Sequence, residues 1–397
     1  MRSIGPFLMI ILFNVPFFTL GQIVTDSHSY QEKYENGINM PDSAGIKNSL
    51  KNGQILISGY SQFLFENLQR DLVDSYDAAN SFYIRRARIK FTYETLDIFK
   101  FVLQPDFSKG SFILKDSYGE ISFPKFRNFT FSAGKFKRPN YEFDSSSDEK
   151  GILERPMILK NIFPDQRDIG IKVNYEGIKV PLNLQISLMN GNIDETKATD
   201  DDTRKDIMAL AMYTLSIPGS GFKVDVGINT YYGNLRVKSS GYVMLDDGKQ
   251  DSSRLGTYLE RRWFSYAMNM YFDFLGGTSV KCEFINGINA YEHYAAEGIL
   301  NYKIRSFAGF YTSLVKNIGA KNQLIIRYDY LDPDIKAAGT TTFEDIFFKT
   351  LAFSWEYHMN RNLDFGISYE VTENERNNEF YNDLKDNILR VRIQTKF

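Results

Sequence analysis

Apolar and polar residues alternate along most of the chain beyond residue 54, most clearly in the stretch 387–397. One set of alternate positions there is mainly apolar and the other is charged or polar: Leu389, Val391, Ile393, Thr395 and Phe397 against Arg390, Arg392, Gln394 and Lys396. Successive side chains of a β-strand point to opposite faces, so this pattern predicts a strand with one apolar and one charged face. A final strand that stops on an aromatic residue is typical of a membrane barrel, where pairing with the first strand removes the exposed edge.

The same period of two recurs in stretches of about ten residues, the length of a strand that crosses a membrane. We place sixteen predicted strands, at 54–65, 82–93, 98–107, 112–122, 129–136, 168–175, 182–190, 206–216, 222–232, 258–272, 279–287, 305–316, 323–331, 348–358, 362–372 and 387–397.

The connections between the predicted strands differ in length. The even-numbered ones are short turns, whereas the odd-numbered ones are long except 108–111: 66–81, 137–167, 191–205, 233–257, 288–304, 332–347 and 373–386. Short periplasmic turns and long extracellular loops are typical of a Gram-negative outer-membrane barrel. We therefore predict an all-β fold, a transmembrane antiparallel β-barrel of about 16 strands.

Composition agrees with a barrel, because aromatic residues make up 15% of the chain and such barrels carry aromatic girdles at both interfaces. A Lys or Arg that faces lipid at the bilayer midplane costs about 2–4 kcal/mol, so the charged strand faces must point into the lumen. A barrel of this size retains an aqueous channel. The net charge of −2 gives no global polyanion-binding character.

The first residues predict a separate segment. An apolar run at 7–20, preceded by Arg2 and followed by Gly21, is too short for a spanning helix. We predict a signal peptide at 1–21, a short periplasmic segment at 22–53 and the barrel at 54–397.

Two groups of residues are candidates for pore chemistry. Arg86, Arg88 and Lys90 share one face of the second strand, and barrel closure brings Arg390 and Arg392 within two strands of them. Together they predict a basic column on the lumen wall that attracts anions. The alternative is that lumen acids, such as Asp116, Glu120, Asp329, Glu356 and Glu370, offset this charge.

The second candidate is the connection 137–167, which holds more apolar residues than a solvated loop needs. Folded into the lumen, it would narrow the pore and place Arg155, Lys160 and Arg167 opposite the basic strands. The alternative is a surface flap, and acids within the loop leave the sign of its field open.

Catalytic and metal-binding sites are not predicted. The three histidines, at 28, 293 and 358, are far apart, and no phosphate loop, zinc spacing or nucleic-acid module is present. The single Cys282 excludes an internal disulfide, and its phase with Val280 and Phe284 predicts that it faces lipid.

Several motifs resemble the phosphate-selective porin O and P family, with matching order and spacing over about residues 54–175. They are Ile84-Arg85-Arg86-Ala87-Arg88, Gln104-Pro105-Asp106-Phe107, Leu114-Lys115-Asp116, Gly134 to Pro139, Ser145-Ser146, Glu154-Arg155, Arg167 to Gly170 and, later, Arg327 to Tyr330. The resemblance implies a sixteen-stranded trimeric porin with an inward third loop. It also implies an arginine ladder for phosphate, of which only Arg86 and Arg88 can be matched here.

The resulting hypothesis is a porin for passive diffusion of small hydrophilic solutes, biased toward anions. The alternatives are a dedicated phosphate or polyphosphate channel, and a structural or adhesive barrel whose loops bind partners. The expected partners are small anions, outer-membrane lipid and two further copies of the chain, with no nucleic acid, metal or cofactor.

Overall fold

A computed structural model describes most of the chain beyond residue 45. The described residues are 46–50, 53–69, 80–95, 98–108, 112–123, 125–144, 147–152, 154–162, 166–178, 180–192, 199–200, 202–238, 241–244, 250–251, 253, 256–294, 300–337, 346–376, 384–385 and 387–397. The predicted signal peptide at 1–21 and most of the predicted segment 22–53 lie outside these residues and remain predictions.

Sixteen long strands form the barrel wall. They are β1 (Gly53–Gln69), β2 (Asn80–Thr95), β3 (Phe99–Asp106), β4 (Ile113–Phe123), β5 (Phe126–Lys137), β6 (Arg167–Glu176), β7 (Leu182–Met189), β8 (Asp206–Ile217), β9 (Phe222–Arg236), β10 (Tyr258–Phe272), β11 (Thr278–Tyr294), β12 (Leu300–Ile318), β13 (Asn322–Asp332), β14 (Ile346–Asn360), β15 (Leu363–Arg376) and β16 (Asn387–Lys396). Each pairs antiparallel with its neighbours in chain order.

The sheet closes because β16 pairs with both β15 and β1. Phe397 extends this seam, with its N–H donating to the Gly59 carbonyl at 2.9 Å and its carbonyl accepting from the Gly59 N–H at 3.0 Å. A Cβ on Gly59 would lie 2.7 Å from the Phe397 ring, so the ring needs glycine at this position. Closure satisfies the backbone groups of both edge strands, and the predicted fold class is confirmed.

The two faces of each strand differ as predicted. In β16 the outward side chains of Val391 and Ile393 are 37% and 38% exposed, whereas Arg390, Arg392 and Gln394 point inward and are almost fully buried. Outward aromatic side chains pair near the strand ends: Phe65–Phe82 and Phe107–Phe112 on the extracellular side, and Phe129–Tyr175 and Phe222–Phe272 on the periplasmic side.

The predicted long loop at 288–304 is wrong. Strand β11 continues to Tyr294 and β12 begins at Leu300, so only 295–299 separates them. Where β13 ends, the free edge of β12 is taken by a short strand, Gly241–Met244, which pairs parallel with residues 300–303. In this part of the hairpin, Ala290 and Tyr302 are buried in an apolar cluster with Val237, Val243 and Leu259, so packing within the protein replaces the alternation that lipid and water impose.

A short strand precedes the barrel. Ile46–Leu50 pairs antiparallel with residues 53–57 of β1, on the edge that β16 leaves open below Gly59. The sequence pattern of this segment was too polar and irregular to predict it.

The connection between β5 and β6, residues 138–166, is called loop 3. It holds two short helices, α1 (Tyr141–Asp144) and α2 (Met157–Ile162). None of the helices in the described part of the chain is long and apolar enough to cross a membrane.

Candidate pore constriction

A β-bulge in β2 turns two consecutive arginines toward the lumen. Gln62 of β1 pairs with Arg86, but the next residue, Phe63, pairs with Ile84, so Arg85 is the extra residue. An inserted residue shifts the phase of the strand. The predicted basic face of β2 therefore gains Arg85, which regular alternation had placed on the lipid side.

The basic residues of β2 have different neighbours. Arg88 donates to Asp106 at 2.7 Å and to the Tyr60 hydroxyl at 2.9 Å. Arg86 donates to the neutral amide oxygen of Gln62 at 2.8 Å. Lys90 follows on the same face and is half-buried. Arg88 is therefore bound to a carboxylate, and Arg86 is bound to an amide.

The arginines of β16 are ion-paired on both sides. Arg390 lies between Glu66, whose carboxylate is 2.6 Å from Nε, and Glu370. Arg392 pairs with Glu356 and also donates to the main-chain carbonyl of Lys150 at 2.7 Å. As predicted, these two residues lie two strands from β2, with β1 between β16 and β2. Gln62 of β1 hydrogen-bonds to Arg86 of β2 and to Gln394 of β16.

Lumen-facing side chains bind the main chain of loop 3. Gln62 donates to the carbonyl of Ser147 at 3.2 Å, Gln394 to that of Asp148 at 2.8 Å, Ser354 to that of Gly151 at 3.1 Å and Arg327 to that of Glu154 at 2.7 Å. With Arg392, these donors come from β1, β13, β14 and β16. These strands therefore hold the main chain of loop 3 against the lumen wall.

Glu154 joins two parts of the wall to loop 3. Its carboxylate accepts from Arg85 at 2.9 Å and lies 3.7 Å from Lys160, while its carbonyl accepts from Arg327 of β13. Burial alone would raise the pKa of Glu154, but Arg85, Lys160 and Arg86 outweigh it and hold that pKa well below its usual range. Glu154 is therefore ionised throughout the physiological range.

Helix α2 packs its apolar face against the opposite part of the lumen wall. Ile158, Leu159 and Ile162 are buried in one cluster with Phe307, Tyr311 and Leu331 of β12 and β13, and with inward residues of β5 and β7 to β11. A Cβ on Gly309 would lie 2.6 Å from Cδ1 of Ile158, so the helix approaches β12 where that strand has no side chain. Of the other apolar loop residues, Leu153 and Phe163 lie outside the described residues.

Several charged residues of the motifs quoted above pair with one another. Besides Arg85–Glu154 and Arg88–Asp106, Arg167 forms a two-pronged contact with Asp116 at 2.7 and 3.0 Å, and Arg138 lies 3.0 Å from Asp168. Bidentate arginine–carboxylate pairs fix orientation as well as charge. The charged motif residues therefore form a set of ion pairs around both ends of loop 3.

The three cations predicted on the loop, Arg155, Lys160 and Arg167, do not lie together. Arg167 contacts Gln104 of β3 and Asp116 of β4, which lie beside the basic strand β2. The prediction that Arg167 lies opposite β2 is therefore wrong, because its ion pair with Asp116 holds it on the same side. Lys160 lies next to Glu154, with 40% of its side chain exposed. Arg155 is half-buried beside Glu154 in the chain. Within the described residues, no group of three or more His, Cys, Asp or Glu is arranged to hold a metal ion.

A model of a known protein family matches part of the chain. The model of the family described as phosphate-selective porin O and P matches residues 61–248, which include Arg85, Glu154 and Arg167. The chain is an outer-membrane porin. The predicted family and the predicted location in the outer membrane of a Gram-negative bacterium are confirmed. No curated protein sequence matches the chain.

Solved porin structures share the fold at low sequence identity. The anion-selective porin from Comamonas acidovorans has a TM-score of 0.59 at 12% identity, covering 87% of this chain and 100% of its own. The outer-membrane channel DcaP of Acinetobacter baumannii gives 0.57 at 14%, covering 89% and 100%. OmpT of Vibrio cholerae, in a trimer form, gives 0.57 at 10%, covering 87% and 100%.

Proposed function

We propose that this porin conducts small hydrophilic solutes passively, that loop 3 forms its constriction, and that the constriction favours anions. The observation that carries the proposal is the binding of loop 3 by lumen-facing donors of four strands, while α2 packs on β12 and β13. A segment held against both parts of the wall narrows the path between them.

The anion bias rests on the cations that line β2 and loop 3 beside the path. Arg88, Arg390 and Arg392 each contact a carboxylate, so their main role is to hold the loop and the wall together. Arg86 contacts a neutral amide, and Lys90 continues the same face. Positive charge beside a narrow aqueous path focuses the field on passing ions. Lys160 adds a partly exposed cation on the loop itself.

The test is the zero-current potential across a KCl gradient in a planar bilayer. We expect stable conductance steps and a potential whose sign shows that chloride permeates faster than potassium. The double variant R86Q/K90Q should reduce that preference several-fold, because it removes the charge beside loop 3. Arg262→Gln is the matched control, since Arg262 is an exposed arginine on the outward face of β10.

Two results would contradict the proposal at different levels. If no conductance steps are seen, the protein is not a diffusion channel, and a structural barrel with binding loops takes its place. If the potential favours potassium, the lumen carboxylates dominate, and only the anion bias fails.

Phosphate is the sharper candidate, favoured by the family match over the segment that carries Arg86 and Arg88. Phosphate added to one side of the same bilayer should reduce the chloride current in a saturable manner and lose this effect in R86Q/K90Q. A chloride current indifferent to phosphate leaves a general anion porin.

We also propose a homotrimer, by analogy with the trimer form of OmpT of Vibrio cholerae. Unheated protein should migrate in a gel at about three times the monomer mass. Migration as a monomer after extraction in mild detergent would contradict it.

A further inference from the structure

A carboxyl group is buried where loop 3 begins. Glu283, on the lumen face of β11, is 1% exposed and directly faces Tyr311 in the register of β11 and β12. Its carboxyl oxygens lie 3.0 Å from the Tyr311 hydroxyl, 2.7 Å from the Ser265 hydroxyl of β10 and 3.4 Å from the side-chain amide of Asn140. All three of these neighbours are neutral groups.

Asn140 ties the first turn of loop 3 to the barrel wall. It is fully buried and comes directly before α1, where its Oδ1 accepts a hydrogen bond from the main-chain N–H of Glu142 at 2.9 Å. Its Nδ2 lies 3.4 Å from both Glu283 and Asn229 of β9, and Asn229 in turn donates to the carbonyl of Pro139 at 2.8 Å. Glu283 and Asn229 together therefore fix residues 139–142.

Tyr311 lies between two carboxyl groups, one on the wall and one on loop 3. Its hydroxyl is 3.0 Å from Glu283 and 3.5 Å from Glu142. Glu142 forms an ion pair with Lys150 at 2.5 Å. Burial raises the pKa of Glu142, but Lys150 and Lys281 outweigh burial and hold that pKa below its usual range. Glu142 is therefore ionised and accepts hydrogen bonds without donating any.

The hydroxyl of Tyr311 carries one proton, which limits how the two carboxyl groups can bond to it. If both were ionised, the hydroxyl could donate to only one of them, and its lone pairs would face the other. If Glu283 is the neutral acid, its O–H donates to the phenol oxygen, and the phenol proton bonds to Glu142. A buried carboxylate that has only neutral contacts is also costly, which favours the neutral acid.

The surrounding charges agree with this arrangement. The titratable and charged groups around the two carboxyl groups are Tyr311 on β12, Lys281 on β11, Arg327 on β13 and Tyr141 and Lys150 on loop 3. Strands β9 and β10 contribute the neutral Asn229 and Ser265. Because all three cations lower the pKa of Glu142, the negative charge resides on the carboxyl group of loop 3.

We propose that Glu283 is present as the neutral acid and positions the first part of loop 3, so that the constriction loosens when Glu283 ionises. An ionised Glu283 takes the proton of Tyr311, which breaks the link to Glu142 and leaves two like charges on either side of one hydroxyl. The link is therefore present while Glu283 is neutral and is lost as pH rises, whereas acidification leaves it intact. The inference rests on the proposed function only in that loop 3 forms the constriction.

The first experiment is infrared spectroscopy of the folded full-length protein in detergent at neutral pH. The spectrum of the wild type minus that of Glu283→Gln isolates one carboxyl group. We expect the carbonyl stretching band of a protonated carboxyl group, and we expect it to disappear as pH is raised. A carboxylate band in its place at neutral pH would overturn the proposal. Glu260→Gln, at an exposed glutamate, is the matched control and should remove no acid band.

The second experiment records single-channel currents as pH is raised from about 6 to about 9, a range in which buried carboxyl groups titrate. The wild-type current should be steady at the lower end and should fluctuate several-fold more often at the upper end. Glu283→Gln keeps the shape and a hydrogen-bond donor without any charge, so its current should be steady throughout. Tyr311→Phe removes the link to Glu142 and should fluctuate at both ends.

Heat-modifiable gel migration shows that each variant is folded before it is compared. A pH response that persists in Glu283→Gln would assign it to another group, such as Lys150, and a steady current in Tyr311→Phe would show that its hydroxyl is not the link. Either result overturns the proposal. The infrared measurement does not depend on conduction. A protein with the acid band that conducts no ions keeps the neutral Glu283 and loses the proposed function, whereas a conducting channel without the band loses only this inference.

Discussion

At the scale of single residues, Glu154 connects loop 3 to both β2 and β13. Glu154→Gln keeps the size of the side chain but leaves Arg85 without its carboxylate. We expect the free energy of unfolding to fall by about 1–3 kcal/mol, because a largely buried charge loses its partner. The current through the channel should also fluctuate as the loop moves. Urea unfolding followed by tryptophan fluorescence and single-channel recording measure the two effects.

The matched control at this scale is Glu260→Gln. Glu260 pairs with Arg262 at 3.4 Å, but both side chains are exposed, and exposed pairs contribute little. We expect a change within about 0.5 kcal/mol. If Glu154→Gln is as mild as this control, Glu154 does not anchor the loop.

The depressed pKa of Glu154 also fixes the direction of its pH response. A carboxyl group with a lowered pKa contributes its full stability above the unfolded pKa, about 4.3, and loses it as pH falls toward the folded value. Current through the wild-type channel should therefore be steady down to about pH 5, and loop fluctuations should begin only below about pH 4. In Glu154→Gln they should be present at every pH. Fluctuations that begin near neutral pH in the wild type would assign the response to another group.

At the scale of elements, α2 is held by packing and not by its own helical stability, because it has only six residues. Ile158→Ala removes a fully buried side chain and should cost about 2–4 kcal/mol. Ile228→Ala, on the outward face of β9 with 52% exposure, is the control and should cost much less. Melting followed by gel mobility compares them. Equal losses would show that α2 is not seated on β12.

At the scale of the whole molecule, closure depends on the contact between Gly59 and Phe397. Gly59→Leu places a side chain where the Phe397 ring and the Arg88 carbonyl already lie, so the seam between β1 and β16 should fail to form. Gly119→Leu is the matched control, since a Cβ there meets nothing nearer than 3.4 Å. The fraction of refolded protein with heat-modifiable migration measures closure. Normal refolding of Gly59→Leu would show that the seam tolerates displacement of Phe397.

Membrane-crossing strands could be predicted because lipid on one side and water on the other impose alternation residue by residue. The rule fails where that asymmetry ends, as in 288–304, where Ala290 and Tyr302 are buried in an apolar cluster with Val237, Val243 and Leu259. Arg85 was missed for a different reason. Ile84 and Ala87 are three residues apart, so both can face outward only if the strand contains an extra residue, and that spacing was the available signal for the bulge.

The partners of loop 3 could not be predicted in the same way. Contacts such as Arg327 with the Glu154 carbonyl, or Asn140 with Asn229, join residues 173 and 89 positions apart and leave no periodic trace in the sequence. Glu283 and Tyr311, 28 positions apart, face each other only through the register of two strands.

The donors on the barrel wall contact carbonyl oxygens of Ser147, Asp148, Lys150, Gly151 and Glu154, and every amino acid carries such an oxygen. These contacts therefore survive most exchanges of the side chains at those positions. Mutation can therefore change the loop side chains that a passing solute contacts while the main chain of loop 3 keeps its path. Related porins can in this way diverge quickly in the solutes that they pass, while the barrel itself is inherited nearly unaltered.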